Sequence, residues 1–333
     1  MSKSEMTIEQ GLSLASQLQA ERRFAEAEQV YRGILKADPT QPIALHRLGI
    51  LAHMAGQSEV AINLIETALA NDPDYHGAHN NLGNVFKDLG KMEQAINCYG
   101  KAIGIKPNYF EAHGNMGISL YQLGKHDDAI ISLRKAVSIK PEYAEAQSNL
   151  GNVLAEQGAM EEAIDCYRKA LKINPEFAEA HCNLGNVLKS KGSIEQAIDC
   201  YNKALQIRSD FPDALNNLGT VFQKVGNIDG AVEKYNKAIE IQPNFASAYS
   251  NLGNALLVQR KLEEAAASYR KALEIDPQLT EAAGSLGSTL LALGKIEEGL
   301  ELEQEGFGVV SFDTREEGNN SQSGVAINYG ISK

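Results

Sequence analysis

Tryptophan is absent from the 333 residues, and cysteine occurs only at Cys98, Cys166, Cys182 and Cys200. No two of these form a C-x-x-C pair, which argues against zinc, and a reduced cytoplasmic setting is the expectation. Long apolar runs are missing as well. Nothing approaches the roughly 18 residues a membrane helix needs, and the opening "MSKSEMTIEQGL" has no apolar segment of the signal-peptide kind. Bases are scarce: 31 Lys and Arg face 43 Asp and Glu, a net charge of -12, against the basic stripe a nucleic-acid binder needs. No G-x-x-x-x-G-K-[ST], H-E-x-x-H or G-x-S-x-G appears. His46 with His53, and His76 with His79, share helical spacing but lack a flanking carboxylate or cysteine set. Adjacent acids such as Glu161 and Glu162, or Glu263 and Glu264, suit helix N-termini better than acid–base chemistry. The expectation is a protein without catalytic residues, metal or cofactor.

What is present is repetition. "NLGNVLAEQGAMEEAIDCYRKALKINP" begins at Asn149, and "NLGNVLKSKGSIEQAIDCYNKALQIRS" begins 34 residues later at Asn183. Glycine recurs at the same interval at Gly49, Gly83, Gly117, Gly151, Gly185, Gly219, Gly253 and Gly287. Alanines keep step with it, among them Ala163, Ala197 and Ala231, then Ala170, Ala204 and Ala238. Proline usually closes the unit, as at Pro175, and Ser209 replaces it once.

Each unit reads as two helices. Ala180, Leu184, Val187 and Leu188 fall on one helical face, and Ala197, Ile198, Tyr201, Ala204 and Leu205 on the next. Gly192 is placed to end the first helix and Ser193 to cap the second. Small residues let helix axes approach, while Leu184, Leu188 and Tyr201 fill the space between. Neither helix buries its apolar stripe alone, so neighbouring units must stack.

The 34-residue helix pair with Leu-Gly, Tyr, Ala and Pro at these places resembles the tetratricopeptide repeat. That resemblance implies an all-α, right-handed superhelix of antiparallel helix pairs. Eight units follow a short N-terminus of residues 1–7: 8–41, 42–75, 76–109, 110–143, 144–177, 178–211, 212–245 and 246–279. Residues 280–305 read as a degenerate ninth repeat or as capping helices: the unit begins correctly at Thr280, but Gly299, Glu303 and, just beyond, Gly306 stand where Ala, Tyr and Ala are expected. The first units also depart from the pattern: Ala15 and Arg22 replace glycines, and Ile65 replaces tyrosine. A Gly-rich tail, 306–333, is irregular or β-like, with strand-like composition at 307–312 and 325–331. It reads as a short hairpin covering the last repeat, a flexible linker or the stump of another domain, with the cover as the default.

Asparagine provides the functional lead. Asn81, Asn115, Asn149, Asn183, Asn217 and Asn251 hold one position in six successive first helices, and Asn84, Asn152, Asn186 and Asn254 lie three residues on, on nearly the same face. Helix propensity does not favour Asn there, and its amide offers the donor and acceptor that an extended peptide backbone requires. The nearest likeness is to the asparagine-rich repeats of O-linked N-acetylglucosamine transferase, which implies a peptide-binding ladder on a concave face. The alternative is that these amides bond between repeats. The preceding position runs through Asn80, Gly114, Ser148, Cys182, Asn216 and Ser250, without the lysines that co-chaperone members use to hold a carboxylate. Glu111, Glu145, Glu179, Asp213 and Glu281 recur near first-helix starts and would favour a neutral or basic peptide over an acidic one, unless they serve only the helix dipole. The chain therefore reads as a non-enzymatic protein-interaction scaffold. The competing reading is the recognition module of a glycosyltransferase- or oxygenase-like enzyme whose catalytic part lies elsewhere. Neither nucleic acid nor membrane is an expected partner.

Overall fold

The computed structural model describes residues 6–307, with side chains to Glu303. The described residues contain eighteen helices and no strand. They fall into two compact units divided at Pro175 and Glu176, at the close of the fifth repeat. In the first unit α1 (Ile8–Ala20) pairs with α2 (Phe24–Ala37), α3 (Pro42–Met54) with α4 (Ser58–Asn71), α5 (His76–Asp88) with α6 (Met92–Ile105), α7 (Phe110–Gln122) with α8 (His126–Ile139), and α9 (Ala144–Glu156) with α10 (Met160–Ile173). The second unit pairs α11 (Ala178–Ser190) with α12 (Ile194–Ile207), α13 (Pro212–Lys224) with α14 (Ile228–Ile241), α15 (Ala246–Val258) with α16 (Leu262–Ile275), and α17 (Thr280–Ala292) with α18 (Ile296–Phe307). Each unit is an all-α stack of tetratricopeptide-type pairs.

The sequence explains how a pair closes. Ala197 and Ala204 have no exposed surface, and the ring of Tyr201 lies between them on α12, also fully buried. That ring rests on Gly185 of α11: a Cβ there would sit 2.7 Å from the ring edge. The same contact recurs at Gly83 with Tyr99, Gly151 with Tyr167, Gly219 with Tyr235 and Gly253 with Tyr269. A methyl group at any of these glycines would push the two helices apart.

The turn follows from backbone chemistry. Gly192 has φ +81°, its N–H donates to Lys189 and the next N–H donates back to Leu188, which satisfies the last carbonyls of α11. Ser193 occupies the cap position of α12, but its side chain makes no capping bond, contrary to expectation. The turn alone sets where α12 begins. In the first unit Gly56, Gly90, Gly124 and Gly158 repeat this geometry. Arg22 and Arg260 adopt it without being glycine, both at φ +59°.

At the C-terminal end α18 runs to Phe307, so the strand-like reading of 307–312 is corrected at its first residue. The remainder of the β-like tail lies outside the described residues. Leu286 and Leu290 of the ninth pair are buried within the described residues themselves.

A side chain in left-handed backbone is strained by about 1–2 kcal/mol, partly offset by the greater freedom of an unfolded glycine. Arg260→Gly is therefore expected to raise the urea midpoint, corresponding to roughly 0.5–1 kcal/mol of unfolding free energy, and Gly192→Arg to lower it. Unchanged midpoints in both variants would show that these turns carry no strain.

Candidate functional site

Successive first helices touch one another within each unit: α3, α5, α7 and α9 in the first, α11, α13, α15 and α17 in the second. Successive second helices make no such row of contacts, so the first helices line the inner side of each unit. All ten asparagines singled out by the sequence are half-buried residues of these inner helices.

Four of them anchor the core. The Tyr99 hydroxyl donates to Asn84 Oδ1 at 2.8 Å, Tyr167 to Asn152 at 2.7 Å, Tyr201 to Asn186 at 2.8 Å and Tyr269 to Asn254 at 2.6 Å. Burial raises the pKa of each of Tyr99, Tyr201 and Tyr269, the last to about 12, so the hydroxyl stays protonated and needs an acceptor. The other repeats obey the same demand by different means. Ser16 and Thr220 replace the asparagine in two repeats, and there Tyr31 and Tyr235 donate instead to Gln19 and Gln223, one turn on, at 2.8 and 3.0 Å. Of the eight full repeats, two lack the tyrosine: Ile65 and Leu133 fill its place, and the asparagine has become Ile50 and Ile118. Acceptor and hydroxyl come and go together. Asn84, Asn152, Asn186 and Asn254 therefore each accept a hydrogen bond from a core tyrosine.

The other six lie across the seams between repeats. Asn81 Nδ2 donates to His46 Nε2 at 2.8 Å, Asn115 Nδ2 to Asn80 Oδ1 at 3.1 Å, and Asn251 Nδ2 to Asn216 Oδ1 at 2.9 Å. Asn217 hydrogen-bonds the Cys182 thiol and accepts from Lys189 Nζ at 3.1 Å. Every one of these partners except Lys189 is the residue just before the ladder in the preceding repeat, 35 positions back. The alternative weighed from the sequence, bonding between repeats, thus describes Asn81, Asn115, Asn217 and Asn251. Asn183 is also engaged. Asn149 differs, because its counterpart 35 residues back is Gly114, which has no side chain to meet it. The space over Gly114 belongs to the Tyr143 ring, whose edge would lie 3.0 Å from an added Cβ.

In the first unit the seam bonds join into a network. His46, 2% exposed, meets the Tyr75 hydroxyl through Nδ1 at 2.9 Å and Asn81 through Nε2. Because the amide nitrogen donates to Nε2, the proton of the neutral ring sits on Nδ1. Desolvation, with a smaller contribution from Arg47, lowers the His46 pKa to about 4.

Among the acids placed at first-helix starts, Glu179 is paired with Arg208 at 2.6 Å. Both side chains are well exposed, so the pair contributes little. Among the described residues no three His, Cys, Asp or Glu side chains cluster as metal ligands. No described helix is long and apolar enough to cross a membrane. All four cysteines are buried, and desolvation raises Cys98 to about 11 and Cys182 to about 12, far from reactive thiolates.

Antiparallel pairs of 34 residues, closed by glycine against tyrosine and stacked through their first helices, define a helical repeat protein of the tetratricopeptide class. Residues 78–288 match a family model of such repeats described as the cilia and flagella-associated protein 70 C-terminal domain, and residues 18–85 match one described as tetratricopeptide repeat. The chain belongs to this tetratricopeptide-repeat family. Similar solved structures include the APC/C hetero-tetramer Cut9-Hcn1, at 18% identity and a TM-score of 0.65, over 87% of this chain and 57% of that one. This chain thus spans little more than half the length of that neighbour. PilF of Pseudomonas aeruginosa matches at 22% identity and a TM-score of 0.57, over 62% of this chain and 94% of its own. At these identities the likeness concerns the fold. A comparison with curated proteins finds no match.

The tyrosine–acceptor pairing can be tested by substitution. Asn186→Ile alone leaves a buried hydroxyl unsatisfied and is expected to cost about 1–3 kcal/mol. Adding Tyr201→Leu, which reproduces the Ile118 and Leu133 pair of the fourth repeat, is expected to recover part of that loss. Additive losses in a double-mutant cycle would contradict the coupling.

His46 makes stability depend on pH. Its folded pKa of about 4 lies below the ordinary histidine value of 6.5, so between these values the unfolded chain holds more protons than the folded one. Stability rises with pH across that window, and His46 accounts for about 3 kcal/mol at most. Melting wild type and His46→Gln between pH 6.5 and 4 is expected to show the variant losing less on acidification. Parallel pH profiles would assign the slope to other groups.

Proposed function

We propose that this chain is a non-catalytic protein-interaction scaffold that holds an extended peptide against its first helices, centred on the fourth and fifth repeats. Tetratricopeptide repeats in general mediate contacts between proteins, and the inner helices here supply an amide-rich face. The observation that carries the more specific reading is Asn149. Asn149 is half-buried and its counterpart 35 residues back is Gly114, which offers no side chain, while its equivalents Asn115, Asn183 and Asn251 hold partners inside the fold. An amide with both donor and acceptor free can pair with the C=O and N–H of one residue of an extended strand. Half-buried Ile118 of α7 gives that strand an apolar floor where most repeats carry a polar side chain. Glu111 and Glu145, at the starts of α7 and α9, favour a neutral or basic peptide. The remaining ladder asparagines serve the seams, and contribute to the ligand only through the amide atoms that those bonds leave open.

Peptides selected from a random display library on the full chain test this. Asn149→Ala is expected to leave the melting temperature level or slightly higher, because Ala is the better helix former by about 0.5 kcal/mol, while weakening the selected peptides. Asn251→Ala removes a seam bond and is expected to lower stability by about 1 kcal/mol with little effect on those peptides. Selected peptides that bind Asn149→Ala and Ile118→Glu as well as wild type would remove the fourth and fifth repeats from the reading.

A further inference from the structure

The repeats serve as an internal control for one another, and one place on the outer side of the first unit breaks their pattern repeatedly. Ile131 of α8 is 67% exposed, the highest value among the large hydrophobic side chains of the described residues. The same position holds polar Gln29, Asn63, Asn97, Asp165, Asp199 and Glu233 in six other repeats and small Ala267 in the eighth. On the neighbouring helix, α6, Gly100 stands where other repeats place Glu66, Arg134, Arg168, Asn202, Asn236 and Arg270. Nothing lies within 4 Å of where a Cβ would be, so this glycine relieves no contact inside the fold. In an exposed helix interior it costs roughly 1 kcal/mol relative to Ala.

The two departures line one groove of about 530 Å³, formed by α6 and α8 with His113 and Met116 of α7. Ile103 and Met116 extend its apolar floor, and Arg134 and Lys135 stand at its side. No acidic side chain lines it, in a chain where acids outnumber bases 43 to 31. Arg134 is paired with Glu162 of α10 at 2.7 Å, whereas Lys135 has no ion-pair partner among the described residues. The missing side chain at Gly100 lets another backbone come close, and Ile131 offers apolar area that water otherwise covers.

From this we infer that the α6–α8 groove is a second interaction surface, which docks an acidic amphipathic helix of a partner protein. An apolar edge of that helix covers Ile131 and Met116 and passes close over Gly100, and its Asp or Glu residues meet Lys135 and the exposed side of Arg134. Most of the groove's lining comes from the second helices α6 and α8, and Asn149, on the first helix α9, is not part of it.

The probe is a fluorescein-labelled peptide of about 18 residues, long enough to form a helix, with leucines along one face and glutamates beside them. Its counterpart carries lysine for glutamate. Anisotropy titrations with the full chain are expected to show binding of the acidic peptide, weakened by salt, and none of the basic one. Ile131→Asp and Gly100→Arg are each expected to weaken binding about tenfold or more. Lys237→Glu, on α14 in the second unit, is expected to leave it unchanged. Circular dichroism and melting of the variants establish that they remain folded. An acidic peptide that fails to bind, or binds the two groove variants as well as wild type, overturns the assignment. Sedimentation gives a further way to lose it: a dimer that Ile131→Asp dissolves would give the groove to a second copy of this chain.

Discussion

A buried tyrosine hydroxyl in contact with a glycine-bearing helix is the constraint from which most of the architecture follows. The glycine allows the ring to lie against the first helix, and the ring fills the space between two alanines of the second. Dispersion and burial favour this arrangement, but it carries one polar group into a place without water. The first helix must answer with an acceptor, and at four repeats that acceptor is asparagine. Much of the asparagine on the inner side is thus a consequence of what the core contains. A polar face can arise from packing before any ligand selects it.

The ninth pair shows the same rule with the chemistry reversed. Glu303 takes the tyrosine's place, only 3% exposed, and Ser288 takes the asparagine's. The donor now sits on the first helix: Ser288 Oγ–H donates to Glu303 Oε1 at 2.6 Å. Without a ring to fill the gap the helices come closer, and a Cβ on Gly287 would meet the Glu303 backbone nitrogen at 2.7 Å and the Gly299 carbonyl at 2.8 Å. Gly299, out of pattern as an alanine position, is what permits that approach. The sequence makes this pair look decayed, but Ser288, Gly299 and Glu303 are mutually consistent and keep α17 and α18 packed.

Periodicity made the helix pairs, the turn glycines and the buried alanines legible, because each is dictated by spacing along one chain. The partners of the asparagines were not legible in that way. Spacing places an amide on a helix face, but the choice between solvent, tyrosine and neighbouring repeat depends on distances of one or two ångströms between helices. Ser193 failed for a similar reason: the residue type suited a cap, but its side chain makes no bond to the start of α12, and the glycine turn that positions it satisfies only the carbonyls ending α11. A readable signal did exist. Ile50 with Ile65, Ile118 with Leu133, Gln19 with Tyr31 and Gln223 with Tyr235 vary in step, and comparing repeats within this single chain reveals it. Consensus positions conceal that coupling, and exceptions to them disclose it.

The exceptions are not spread evenly. The fourth pair, α7 with α8, replaces the tyrosine and its acceptor by Leu133 and Ile118, places Gly114 at the seam, and carries Ile131 on the outer side. In a repeat array each pair is held mainly by its neighbours, so one pair can lose its standard contacts while the seams on either side remain intact. Asn115 still bonds back to Asn80, and Arg134 reaches forward to Glu162. The fold can therefore tolerate an unusual pair inside the first unit, and the tolerance is local. Leu133, fully buried, replaces a polar-tipped ring by a purely apolar side chain, which releases the inner position from its duty as acceptor. Once that duty is gone, the residue there is free to answer to something outside the fold. That release, more than the abundance of asparagine, is what makes the fourth repeat and its neighbours the place to look for a partner.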